Sequence, residues 1–270
     1  MAKQELVMAV PVFRFAPSPN GLLHLGHAYS ALLNDEMART AEGRFLLRME
    51  DTDLTRCRPH FVEAMFADLR WLGLSWEEPV RFQSAHFDDY DRNLARLRAM
   101  GAVYPCFCSR KQASLAALAS QDPDGQPHYG GACRALSRAE ADSRIGAGHA
   151  HGWRIDMGSC QDRDAAVWGD VVIARRHVGS YYHIAVVTDD WIQGISHVVR
   201  GKDIEPATPI HLLLQRLLGF PSPHYHHHRH ILDGDGRKLS KSHGSVALAA
   251  LRQAGETPAE IRARLGLAVP

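Results

Sequence analysis

The hydrophobic pattern opens with a short apolar run, Val12–Phe15, that breaks into the turn-rich segment Ala16-Pro17-Ser18-Pro19-Asn20-Gly21. This predicts a buried strand closed by a loop. From Leu25 to Thr40 the period changes, and Leu25, Ala28, Leu32, Leu33 and Met37 mark one face of a helix. Phe45–Met49 predicts a second strand running into Glu50-Asp51-Thr52-Asp53, and Pro59–Leu72 a second helix stopped by Gly73. Strand, helix, strand, helix at this spacing predicts an α/β fold with a parallel sheet and crossover helices. Ligands of such sheets bind beyond the carboxyl ends of the strands. Both polar clusters, 17–27 and 50–53, fall there. Farther along, Val171–Ala174, Tyr182–Thr188 and His197–Val199 are expected strands, and Pro209–Leu218 and Pro258–Leu265 expected helices. Between about Ala102 and Ala150 the pattern loosens into small residues, clustered cysteines and a loop-like Gln121–Gly131, which predicts an insertion.

Composition narrows the function classes. The 270 residues are 45% hydrophobic and 23% charged, with a formal net charge of +1, so no global basic field argues for nucleic acid and any RNA contact must be local. The start of the chain lacks a signal-peptide cleavage region and no run of 18 apolar residues occurs, so a cytoplasmic protein without a membrane span is expected. Five cysteines do not make a secreted disulfide framework. Three of them, Cys106, Cys108 and Cys133, fall in one 28-residue stretch and suggest a metal; the alternative is three separate thiols. Zinc prefers four soft or borderline ligands in a tetrahedron; for the fourth position His128 and Tyr129 both stand nearby. Cys57 and Cys160 read as unrelated thiols.

Two constellations carry chemistry. His24 and His27 open the first helix three residues apart, on one face, where free N–H groups and the helix dipole favour an anion. Gly26 between them lets a nucleotide approach the backbone. They form a cradle for triphosphate and adenosine, or merely cap the helix. The second is Lys238-Leu239-Ser240-Lys241-Ser242, flanked by glycines. The chain has only five lysines, and two fall in this segment; paired ammonium groups can meet charge building on a phosphate. The run His226–His230 is expected to play an ordinary structural role.

Together, His24-Leu25-Gly26-His27 and Lys238–Ser242 resemble the double signature of class I aminoacyl-tRNA synthetases. Arg14–Gly21, Arg48–Asp53, Tyr182–Asp190, Gly194–Asp203 and Leu212–Gln215 closely resemble glutamyl-tRNA synthetase catalytic domains, and the likeness covers nearly the whole chain. It implies a Rossmann-type catalytic domain whose halves are 1–100 and 191–245, an acceptor-binding-like insertion at 101–190, and a short helical tail at 246–270. It also implies that Arg14, Phe15, Ala16, Pro17, Ser18, Glu50, Tyr182 and Arg200 hold glutamate. His24, His27, Lys238 and Lys241 would be catalytic, with His24, Gly26, His27 and Lys241 on ATP and its Mg²⁺. Physical chemistry agrees: two guanidinium forks suit two carboxylates, and Glu50 can face the ammonium. Asp51 and Asp53 remain open between ligand and structural roles. Tyr-x-Gly-x-Cys-Arg, here Tyr129–Arg134, resembles a zinc-bearing insertion, which implies one structural Zn²⁺ on Cys106, Cys108, Tyr129 and Cys133.

The chain ends 28 residues after Ser242, so no anticodon-binding domain is expected. With the cysteine insertion, this shortness is similar to the glutamyl-queuosine tRNA(Asp) synthetase family. That resemblance implies a monomer that activates L-glutamate with ATP without tRNA, then transfers it to queuosine in the anticodon of tRNA(Asp). The alternatives are a truncated glutamyl-tRNA synthetase acylating a tRNA 3′ end and a catalytically silent RNA-binding paralogue.

Overall fold

The computed structural model describes residues 10–115, 117–175, 181–232 and 246–268. The strands among these residues are, in chain order, β1 (Val12–Phe15), β2 (Arg44–Met49), β3 (Glu77–Phe82), β4 (Val103–Cys106), β5 (Ala117–Gln121), β6 (Pro127–Tyr129), β7 (Gly152–Ile155), β8 (Val172–Ala174), β9 (His197–Gly201) and β10 (His224–His228). The helices are α1 (Leu25–Thr40), α2 (Pro59–Trp71), α3 (Phe87–Ala99), α4 (Arg110–Leu115), α5 (Arg138–Gly146), α6 (Met157–Cys160), α7 (Arg163–Ala166), α8 (Tyr182–Ile192), α9 (Thr208–Leu218), α10 (Leu248–Gln253) and α11 (Pro258–Leu265).

The main sheet runs β10-β9-β1-β2-β3 with every pairing parallel. From β1 the chain proceeds to β2 and β3 on one side and to β9 and β10 on the other. The order therefore reverses between β1 and β9, where open α/β sheets bind their ligands.

Pleat alternation sorts the side chains. Phe13, Phe15, Leu47, Met49 and Val199 face α1, α2, α10 and α11, forming one core with Leu32, Leu69, Leu248 and Ile261. The opposite face carries Val12, Leu46 and Val198. Parity puts Arg14, Arg48 and Arg200 on that second face, and register aligns Arg81 with Arg48. Four neighbouring strands thus present four arginines to one side. α8 packs between α3 and α9 in a second core that also takes in β4, β7 and β8.

The expected strand Tyr182–Thr188 is corrected: these residues are the first part of α8. Ile184 to Asp190 are all buried, and a segment buried all round shows neither period. Val186-Val187-Thr188 favours a strand by propensity, and tertiary packing overrides it. The other expected strands and helices are present, with ends shifted by at most two residues. α8 runs across position 190. Residues 103–174 contribute a separate antiparallel sheet, β4-β7-β8, and the two-stranded β5-β6 hairpin. No helix among the described residues is long and apolar enough to cross a membrane.

Candidate active site

A cavity of about 740 Å³ opens at the carboxyl ends of β1, β9 and β10. Arg14, Phe15, Ala16, Pro17, Ser18, His24, Gly26, His27, Glu50, Tyr182 and Arg200 all border it. Every residue expected at the glutamate and ATP sites within the described part is thereby brought together, while the expected metal ligands lie apart from this cavity; Lys238 and Lys241 lie outside the described residues. The chain on either side of them reaches the same place. Ile231 lines the cavity, and Ala247 forms a bridge to His24.

The two histidines do cap the helix. His24 Nδ1 accepts from the Gly26 N–H at 3.1 Å, and His27 Nδ1 accepts from the His24 N–H at 3.2 Å, a reciprocal capping box. An Nδ1 that accepts leaves the proton of a neutral imidazole on Nε2. Capping therefore selects the tautomer that offers an N–H donor, so the capping and anion-binding readings become one. Gly26 serves this cap first, since a Cβ there would stand 3.0 Å from the His24 ring.

One wall is a dense ion network. Arg14 Nε and Nη2 donate to the two Asp190 oxygens at 3.1 and 3.4 Å. Arg48, fully buried, donates to Asp190 at 2.7 Å, to Glu50 at 3.1 Å and to Gln193 at 3.1 Å. Behind them Asp189 accepts from Arg81 at 2.7 Å and from Gln83 and Tyr90 at 2.9 Å. Burial penalises the Asp190 charge, yet Arg14 and Arg48 outweigh it and hold that carboxyl below its usual range. At Glu50 burial wins over Arg48 and Arg14, and its pKa rises. A cation arriving beside Glu50 would favour its charged form.

The other wall centres on Arg200; Asp203, just past β9, also borders the cavity. Arg200, 6% exposed, donates to His211 Nδ1 at 3.0 Å, Thr208 Oγ1 at 2.8 Å and His227 Nε2 at 3.3 Å, with its guanidinium 5.0 Å from the Tyr225 ring centre. No carboxylate among the described residues pairs with it. Arginine only donates, so His211 Nδ1 must accept; His211 Nε2–H then donates to His183 Nδ1 at 3.2 Å. Burial first, then the Arg200 charge, pushes His183 down to about 4 and His211 well below its ordinary value, so both rings are neutral.

Asp51 and Asp53 are engaged elsewhere. Asp51 accepts from the Ser84 N–H at 2.8 Å and its hydroxyl at 2.6 Å, and Asp53 from Thr55 and Arg56. The histidine run forms β10 and its exit: His227 holds Arg200, while His228 and His230 border the cavity.

The cysteine cluster lies in the β4–β6 region. The Cys106, Cys108 and Cys133 sulfurs stand within 4.8 Å of one another. The Cys108–Cys133 separation is 3.6 Å, close to the roughly 3.8 Å edge of a tetrahedron with about 2.3 Å metal–sulfur bonds. The Tyr129 hydroxyl is 3.3 Å from Cys108 Sγ. His128, the competing ligand, has both nitrogens engaged, at 2.9 Å from Ser120 Oγ and from the Val167 carbonyl. The donor set fits a closed zinc site of three thiolates and one phenolate.

Residues 10–268 match the family model of class I tRNA synthetases for E and Q, catalytic domain. The chain is 44% identical to a protein of Rhodobacter capsulatus called glutamyl-Q tRNA(Asp) synthetase, over 95% of this chain and 100% of that one. A protein of the same name from Symbiobacterium thermophilum is 42% identical, over 91% and 82%. The chain belongs to the glutamyl-Q tRNA(Asp) synthetases. Its relation to longer enzymes of the class is also plain. Glutamate–tRNA ligase 2 of Nitrosococcus oceani is 38% identical, but the chain spans only 58% of it. A crystal structure of a glutamate tRNA ligase from Elizabethkingia meningosepticum, in complex with its amino acid, superposes with a TM-score of 0.73 at 27% identity, over 87% of this chain and 52% of that one. In this glutamyl-Q tRNA(Asp) synthetase the site is also built from residues to which sequence reading assigned no site role, Arg48, Asp189, Asp190, Thr208 and His211, and from His227, expected only to be structural. A signal existed for some of them. Arg48 interrupts an apolar strand and His211 an apolar helix face, and polar groups in such places need partners.

Proposed function

We propose that the chain activates glutamate with ATP in the absence of tRNA, releasing pyrophosphate, and transfers the glutamyl group to queuosine in the anticodon of tRNA(Asp). The carrying observation is Arg200, a buried guanidinium held only by neutral groups among the described residues. A buried charge without a counter-charge is costly; an anionic ligand relieves that cost. Arg200 takes one glutamate carboxylate and Arg14 the other, Glu50 takes the ammonium, and Tyr182 closes the pocket. The α-carboxylate is already a nucleophile and attacks the ATP α-phosphorus in line, so the chain supplies alignment and charge stabilisation. His24 and His27 donate from Nε2 to the phosphates, Gly26 permits their approach, and Lys238 and Lys241 neutralise departing pyrophosphate. Mg²⁺ accompanies ATP and keeps several waters.

Cys106, Cys108, Tyr129 and Cys133 hold one zinc ion, which supplies a structural tie within the 101–190 insertion, the acceptor-binding part. The same reading makes the protein a cytoplasmic monomer, with 246–270 as a helical tail closing the catalytic domain. One zinc per chain by metal analysis is expected; Cys133→Ser should lose it and lower the melting temperature. Metal-free wild type of unchanged stability counts against the site.

The deciding experiment is glutamate-dependent ATP–pyrophosphate exchange without tRNA, followed by transfer of labelled glutamate to tRNA(Asp) with and without queuosine. Exchange and label confined to the queuosine-bearing tRNA are expected. Label on queuosine-free tRNA would favour 3′-end acylation, and no exchange with any amino acid would favour a silent paralogue.

A further inference from the structure

Two residues from the 103–174 region reach the cavity: Trp168 and Asp124. Asp124 stands at the tip of the β5–β6 hairpin. There the Asp122 carboxylate accepts from the N–H of Asp124 at 3.0 Å and of Gln126 at 2.8 Å. Gly125 takes a φ of +76° that lets the turn close. His128 on β6 bonds the Val167 carbonyl at 2.9 Å, which ties the hairpin to the segment carrying Trp168. The Asp124 side chain is exposed and forms no ion pair with any described residue.

Its charge has the wrong sign for activation. ATP is an anion, glutamate brings two carboxylates, and the one ammonium of glutamate has Glu50 beside Arg14. An acid at this opening repels both activation substrates. The acceptor is different. In queuosine the cyclopentene diol joins the base through a secondary amine, an ammonium at neutral pH, on the ring carbon next to one of the hydroxyls.

We propose that Asp124 is a specificity residue of the transfer step, pairing with this secondary ammonium and holding the diol against the glutamyl carbonyl. The proposal rests on the function given above. In the step, a diol oxygen bonds to the glutamyl carbonyl carbon, and the bond from that carbon to the phosphate oxygen breaks. AMP departs with the electron pair, and the hydroxyl proton goes to the released phosphate.

The test compares wild type, Asp124→Asn and Asp124→Glu in two assays: glutamate-dependent exchange, and transfer of labelled glutamate to queuosine-bearing tRNA(Asp). For Asp124→Asn, kcat/KM for transfer should fall tenfold or more relative to exchange, and Asp124→Glu should recover most of it. General electrostatics predicts the reverse, because removing an acid beside a polyanion strengthens unspecific binding. Unchanged or improved transfer in Asp124→Asn overturns the proposal. So does a parallel fall in exchange, which would assign Asp124 to ATP, its magnesium or glutamate. Wild type that exchanges but never labels the queuosine-bearing tRNA overturns the acceptor itself, and the proposal with it, before any variant is made.

Discussion

The two walls of the cavity hold their arginines in opposite ways. On the β1–β2–α8 side, Arg14 and Arg48 share Asp190, and Arg48 also reaches Glu50. On the β9–β10–α9 side, Arg200 meets, among the described residues, only imidazole nitrogens, a hydroxyl and an aromatic face. Charges that cancel within the fold build a rigid frame, and one that is oriented but left uncancelled can be satisfied by a ligand. Histidine suits the second task because burial keeps it neutral, so it orients the guanidinium without neutralising it. The same residue type, at similar depth in one sheet, is frame at Arg48 and an open receptor at Arg200, with Arg14 both tied to Asp190 and facing the cavity.

The sharpest way to break this comparison is to remove the receptor charge. Arg200→Gln should lower kcat/KM for glutamate in ATP–pyrophosphate exchange about a thousandfold, roughly 4 kcal/mol, the range for truncating one partner of a buried, hydrogen-bonded charge pair. KM for ATP should change little. A loss under tenfold would mean that Arg200 does not meet the substrate carboxylate. On the frame side, Asp190→Asn should act mainly on stability. It leaves Arg14 and Arg48 undercompensated in the interior, a loss of about 3 kcal/mol read from urea unfolding. An unchanged unfolding midpoint together with a large rise in the KM for glutamate would make Asp190 a specificity residue instead.

Sequence reading reached one wall better than the other, for physical reasons. The strands and α1 were legible because their faces alternate or repeat, and because Pro17, Pro19, Gly21 and Gly73 punctuate them. Arg14, Glu50 and Arg200 entered through the family resemblance, and their places near strand ends bring them to one cavity. α8 was misread because a segment buried on all sides loses the period that identifies a helix. With it went any chance of seeing that Asp189 and Asp190 lie beneath Arg14 and Arg48, more than 140 residues away in sequence. The imidazole strap was hidden for another reason: His183, His211 and His227 come from two helices and an edge strand, and no local spacing joins them.

A smaller substitution probes the strap itself. His211→Glu would place a carboxylate against Arg200 and fill the receptor from within. The KM for glutamate should rise about tenfold, near 1.4 kcal/mol, with the KM for ATP unchanged. His211→Gln, which can still offer an acceptor, should stay within about threefold of wild type, on the order of 0.6 kcal/mol. Equal behaviour of the two variants would show that neutrality at this position is irrelevant.

Acid should separate the walls with the least intervention. Burial and the neighbouring Arg200 lower His183 from an ordinary 6.5 to about 4, and His211 shifts the same way. Between those values the unfolded chain binds the proton that the folded chain refuses, so the strap contributes in full above pH 6.5 and less as pH falls. For His183 the loss between pH 6.5 and 5.5 is about 1 kcal/mol, and His211 adds to it. Asp190 behaves differently. Its carboxyl is held below the ordinary 3.8 chiefly by Arg14 and Arg48 against its burial, so its share survives down to about pH 4 and fails only beneath that. Urea midpoints at pH 7.5, 6.5 and 5.5 should therefore decline for the wild type and decline less for His211→Gln. Asp190→Asn should start lower and keep the wild-type slope. If His211→Gln keeps the full slope, the proton is taken up elsewhere and the neutral wall is not what acid disrupts.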